Sequence, residues 1–176
     1  MRIVVCVKHV PDMQSERRFE GGRLVRGEDD VLNELDENAI EAAVQLKESE
    51  EDAGREAEVV ALTMGPEDAE DSLMRALQMG ADRAFIVSDE FLEGADVITT
   101  ASVLSVAIAK IAQECGPVDL VITGMASLDA MTSMLPAALA AKAHMPLLGL
   151  ARSLNVEDGV LTIERAVAGY TETVRA

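Results

Sequence analysis

The chain has no tryptophan, one tyrosine and three phenylalanines among its 176 residues. With so few aromatic rings, stacking platforms for nucleic-acid bases are scarce. Cations are short as well: 15 Lys and Arg stand against 32 Asp and Glu, a formal net charge of −17 at pH 7. A phosphate backbone needs a basic face, so nucleic acid is excluded as a partner. The acidity reads as solubility, or more sharply as a docking face for basic partners. Cysteine is limited to Cys6 and Cys115, with no CxxC, which argues against a zinc knuckle or a dithiol motif. Cys6 lies in an apolar run and reads as a small core residue, and a reducing compartment fits. His9 and His144 have no metal-ligand spacing with each other or with a cysteine. Both read as loop or helix-end residues. No uninterrupted apolar run reaches the ~18 residues of a membrane span. The opening MRIVVCVKHV turns polar too soon for a signal peptide and reads as a strand. The expectation is a bacterial-type cytoplasmic protein that is not itself a membrane protein.

What is present alternates. RIVVCVK at 2–8 reads as a buried strand. DENAIEAAVQLK at 36–47 sets Ile40, Ala43, Val44 and Lys47 on one helical face and then dissolves into the acidic ESEEDAG. EVVALTM at 58–64 is a second buried strand, and the helix after it has Pro66 near its start and Gly80 at its end. DRAFIVS is a third strand, and a long helix over about 96–114 carries a stripe of Val97, Ala101, Leu104, Ile108 and Ile111. DLVIT and MLPAALAAKA supply the fourth strand and helix. Near-continuous apolar strands alternating with helices predict an α/β fold with a mostly parallel sheet and helices on both faces. One domain over 1–176 is expected, with two irregular parts. An excursion at about 11–34 carries a hairpin around Gly21-Gly22. A tail at about 149–176 alternates like antiparallel strands, with turns at Asp158-Gly159 and Gly169. It stops in what reads as a strand, so a truncated piece is expected.

Ligands of open parallel sheets bind beyond the C-terminal strand ends, near helix N-termini. Three of the four helix starts here, ELDEN, PEDAED and DEFLEGAD, are acidic and would repel a phosphate. Only TGMASLDAMTSMLP, residues 123–136, offers neutral hydroxyls, on Thr132 and Ser133, to an anion. Two readings stand side by side: a phosphate cradle, or simple capping by Asp129, Thr132 or Ser133. There is no Walker lysine motif and no GxGxxG.

Taken together, VCVKHVPD at 5–12, LNELDENAIEAAVQLKE at 32–48, LTMGPEDAEDSLMRALQMGADRAF at 62–85, LVITGMASLDAMTSMLPAALA and GVLTIERAVAGYTETV resemble electron-transfer flavoprotein beta subunits, over almost the whole chain. The resemblance implies an adenine-nucleotide-binding (Rossmann-like) α/β fold paired with an alpha subunit. It implies a structural AMP in beta and a redox FAD held mainly in alpha; in the electron-bifurcating type beta binds a second FAD instead. Electrons would pass from flavin dehydrogenases to a quinone reductase or another acceptor. The chain would be a carrier subunit without catalytic residues of its own, since the flavin does the chemistry. By position, the implied nucleotide site uses Cys6, the turn Asn33, Glu34, Leu35 and Asp36, the strand-end Met64, and the wall Gly124, Met125, Ala126, Ser127, Leu128, Asp129, Thr132, Ser133 and Met134. On generic grounds Asn33 is equally a helix N-cap, and Met64 a core residue.

The chain departs from the family's DGxTxQxG-like loop. Ala130 replaces a glycine, where a positive φ would be strained, and Met134 replaces an amide. Positions that face the flavin in relatives fall near Met13 and Leu35, which are apolar but not aromatic. Relatives are longer, with a docking loop and an arm beyond the point where this sequence ends. Two other readings share the fold type. One is a universal-stress-like homodimer binding ATP, against which the excursion and the acidic second helix start weigh. The other is an ATP pyrophosphatase-type enzyme, which would want an SGGxDS-like loop where KHVPDMQS stands.

Overall fold

Aliphatic and β-branched runs bounded by turn residues become strands that need cover on both faces, and here helices supply it. The computed structural model describes residues 1–176. Its elements are, in chain order, β1 (Arg2–Cys6), β2 (His9–Pro11), β3 (Phe19–Glu20), β4 (Arg23–Leu24), β5 (Asp30–Leu32), α1 (Glu34–Asp52), β6 (Glu58–Met64), α2 (Glu70–Gln78), β7 (Arg83–Val87), α3 (Val97–Cys115), β8 (Leu120–Thr123), α4 (Leu135–Ala143), β9 (Ser153–Glu157), β10 (Val160–Val167) and β11 (Tyr170–Arg175).

The main sheet has the order β7-β6-β1-β8, all parallel. From β1 the chain winds outward through β6 to β7, then returns through α3 to place β8 on the other side of β1. The winding reverses between β1 and β8, where Cys6 stands opposite Thr123. Such a reversal opens a crevice at the C-terminal strand ends. α1 and α2 cover one face, with Ile40, Ala43, Leu46 and Leu73 against Ile3, Val5 and Val59. α3 and α4 cover the other, with Leu104, Ile108 and Leu139 against Val4, Val60 and Leu62. The α/β architecture is the one the alternating pattern predicts.

The excursion folds as two small antiparallel pairs, β2 with β5 and β3 with β4, the second turning at Gly21-Gly22. The tail is a three-stranded antiparallel sheet in the order β11-β10-β9. Its turns fall at Asp158-Gly159 and Ala168-Gly169, all four at positive φ as two-residue hairpin turns demand. Leu154 and Val156 dock the tail on the α1 face of the core.

Two local expectations are corrected. α1 does not dissolve after Lys47 but runs on to Asp52. Glu50 turns inward, and Arg55 donates to its carboxylate from Nε and Nη2 at 2.8 and 2.6 Å, offsetting the negative charge at that helix end. Lys47 keeps its stem along the covered face, its side chain only 18% exposed, and pairs with Asp82, while Leu46 also turns inward. His9 is a buried strand residue, with Nδ1 2.7 Å from Ser72 Oγ, whereas His144 does sit at the end of α4. By length and composition α3 could cross a membrane, at mean hydropathy 1.3, but one such helix is weak evidence and its Ala101–Ile111 stripe packs on the sheet.

Candidate functional site

The crevice at the β1 and β8 ends is assembled from three segments. The chain leaves β8 directly into Gly124, and the reason for glycine is steric. A Cβ there would lie 2.1 Å from Asp36 Oδ1 and 3.1 Å from the Leu35 carbonyl oxygen. Asp36, in the first turn of α1, is buried and accepts the Lys8 N–H at 2.8 Å. Burial pushes its carboxyl up to about 6, against the opposing pull of that N–H and of the Lys8 charge. Cys6, at the end of β1, is buried too; desolvation, with the charge of Asp36 adding, pushes its thiol up to about 12.

Asn33 occupies the N-cap position of α1, yet its side chain does not cap the helix. It is fully buried and turns to the loop after β8. Nδ2 donates to the Ala126 carbonyl at 3.0 Å, and Oδ1 accepts the Leu128 N–H at 3.1 Å. One amide thereby satisfies two backbone groups of the loop, a task that suits its paired donor and acceptor. Ser127 closes a turn by accepting the Ala130 and Met131 N–H groups at 3.2 and 2.7 Å.

None of the three candidate capping side chains caps α4. The cap position is held by Met134, which makes no capping bond, and Pro136 fills the first turn. The carboxylate of Asp129 is wholly buried, 2.8 Å from Lys8 Nζ and paired with Arg26. Burial by itself would raise its pKa, but hydrogen bonds from Lys8, Arg26 and Ser127 override that and hold the carboxyl well below the usual range. The backbone strain expected at Ala130 falls elsewhere: Met131 and Ser133 adopt φ of 50° and 52°.

Of the site residues named from the sequence, the structure brings together Cys6, Asn33–Asp36 and Gly124–Asp129 around the β1/β8 joint. Met64 ends the neighbouring strand and packs partly against the α3–α4 core. Thr132, Ser133 and Met134 lie exposed on the approach to α4. Sequence reasoning missed the cations. Lys8 Nζ also reaches Ser127 Oγ at 3.3 Å, and Arg17 Nη2 reaches the Leu128 carbonyl at 3.4 Å. The stretch 123–136 has no cation of its own, and the signal that could have found them was Asp129, a carboxylate in an apolar context that needs a partner.

This geometry places the loop at a topological switch point, ahead of a helix whose first turn, like that of α3, holds no acidic residue. That combination can receive an anionic nucleotide. A family model described as electron transfer flavoprotein domain matches residues 22–176. The electron transfer flavoprotein subunit beta of Mycobacterium leprae is 39% identical over 166 residues, which cover 93% of this chain and 61% of the relative. The subunit beta of Megasphaera elsdenii is 35% identical over 170 residues, covering 94% and 61%. The caffeyl-CoA reductase-Etf complex subunit CarD of Acetobacterium woodii is 34% identical over 176 residues, covering 99% and 64%. The chain spans about three fifths of the length of these curated relatives.

Proposed function

The chain belongs to the electron transfer flavoprotein family, on its beta-subunit side, and from that premise we propose that it works in a heterodimer with an alpha subunit. In this reading it binds a structural AMP in the β1/β8 crevice and helps enclose an FAD held mainly by alpha. The heterodimer carries electrons from flavin dehydrogenases to a quinone reductase or a similar acceptor, in the cytoplasm. The flavin supplies the redox chemistry; this chain binds, orients and encloses, as a carrier subunit rather than an enzyme.

The observation that carries the reading is the joint itself. Asn33 locks the Ala126–Leu128 backbone against the end of β1, and Gly124 leaves no room for a side chain beside Asp36. The residues fit an adenine nucleotide in kind: backbone N–H groups and hydroxyls toward a phosphate, and an apolar strand-end floor. Family membership favours this over a stress-type homodimer holding ATP.

A second reading, supported by the likeness to a subunit of a caffeyl-CoA reductase-Etf complex, puts FAD in the same crevice in place of AMP. Both are tested by purifying the chain with its alpha partner, recording flavin absorbance, and identifying the nucleotide released on denaturation by mass spectrometry. AMP with about one flavin per heterodimer supports the first reading, and FAD at about two per heterodimer the second. ATP in a stable homodimer, or no flavin absorbance, overturns both.

A further inference from the structure

The loop after β8 has little structure of its own. Residues 124–134 lie between a strand and a helix that no side chain caps, with two non-glycine residues at positive φ. What fixes it comes from far along the chain. Asn33 grips it from the α1 side. The other grip uses Lys8, at the exit of β1, and both limbs of the excursion. Arg17 precedes β3 and donates to the Leu128 carbonyl; Arg26 follows β4 and pairs with Asp129. The excursion thus straddles the loop, one arginine on each limb, and its latch point is a carboxylate with no exposed surface.

We propose that the excursion, residues 12–29, is a strap across the nucleotide loop, latched through Asp129, and that Arg17 and Arg26 are positioning residues that set how fast the ligand leaves. The inference rests on the nucleotide reading above. Neither arginine needs to touch the ligand. Each holds the loop in the shape that contacts it, so releasing either lets residues 126–129 relax and opens the crevice. Around residues 127–129 the cations Lys8, Arg17 and Arg26 outnumber the one carboxylate, Asp129, that they hold. A phosphate at these residues therefore meets attraction, in contrast to the acidic first turns of α1 and α2.

The test uses the chain in its complex with the alpha subunit, loaded with a fluorescent AMP analogue and chased with excess AMP. Arg26→Met is expected to release the analogue about tenfold faster than wild type, the loss of one charged hydrogen bond to the loop. Its release should depend less steeply on salt than wild type's, because the latch that salt weakens is already gone. Arg26→Lys should restore most of the wild-type rate, which a merely steric role for the side chain would not. Arg17→Met tests the other limb and decides alone should Arg26→Met fail to fold; about threefold faster release is expected for its longer bond to a neutral carbonyl. Release at the wild-type rate from both methionine variants overturns the strap while leaving the nucleotide reading intact. A wild-type complex that takes up no AMP analogue overturns the reading and the strap with it.

Discussion

Two strand-to-helix junctions leave the same edge of the sheet and are built on opposite plans. From β6 to α2 the chain needs Gly65, Pro66 and a single 3-10 turn, Glu67–Ala69. Its helix start is set by local bonds: the Ala69 N–H donates to the Pro66 carbonyl at 3.0 Å, and acidic residues of the first turn answer the helix dipole, while the Gly65 N–H ties the turn to β7 through the Val87 carbonyl at 3.1 Å. From β8 to α4 it takes residues 124–134, and the bonds that shape the path reach partners 93 to 121 positions away. The first junction is specified largely by its own residues. The second is shaped in large part from outside, by side chains that arrive from β1, the excursion and the start of α1.

Substitutions sharpen or break that contrast. The largest effect is expected from Gly124→Ala, whose Cβ would fall on Asp36 Oδ1 and the Leu35 carbonyl. A loss of about 3 kcal/mol or more in denaturant unfolding is expected, since backbone and buried carboxylate cannot step aside. The matching change in the local junction, Gly65→Ala, meets only the Ala69 Cβ at 3.0 Å and should cost about 1 kcal/mol. Equal losses at the two glycines would remove the distinction.

The charge on Asp36 comes next. Its carboxyl is raised in the folded state to about 6 from an ordinary 3.8, so the native protein binds that proton more tightly than the unfolded chain does. The contribution to stability therefore grows as pH falls from about 6 toward 4, and the ionised carboxylate is a burden above 6, worth up to about 3 kcal/mol. Asp129 has the opposite sign: its depressed carboxyl stabilises above the ordinary carboxylate range and loses that contribution as pH falls below about 4. Urea midpoints should peak near pH 4–5, and Asp36→Asn should flatten the slope between pH 6 and 4. An unchanged slope in that variant would show that Asp36 is not the group responsible.

Asn33→Ala leaves the Ala126 carbonyl and the Leu128 N–H without their partner and should cost about 2 kcal/mol. Hydrogen exchange of the Leu128 amide should accelerate with it. The smallest effect belongs to the local junction. Pro66→Ala should change stability by only about 0.5 kcal/mol, acting through the unfolded chain, with α2 retained in its circular dichroism.

The same contrast explains what could be read from the sequence. Strands, helices and the β6–α2 junction announce themselves through period, proline and glycine over a few residues. So do the hairpin at Gly21-Gly22 and the turn at Asp158-Gly159. At the crevice the residues were visible but their partners were not. Asn33 stands where an N-cap belongs, and no local rule says that its amide turns to a loop 93 residues on. Asp129 looked like a cap because Lys8 and Arg26 lie more than 100 positions away. α1 runs past its acidic stretch, where Arg55 folds back on Glu50. Resemblance to a family names candidate residues that periodicity cannot, since it carries long-range placement that a local window lacks.

The cysteine at the end of β1 has a consequence of a different kind. A thiol held at about 12 stays protonated throughout the physiological range, and it is the thiolate that reacts with disulfides and peroxides. Cys6 is therefore chemically silent at the floor of a crevice proposed to sit beside a redox cofactor. A sulfur kept protonated and out of solvent offers an oxidant that reaches this strand end no thiolate to attack.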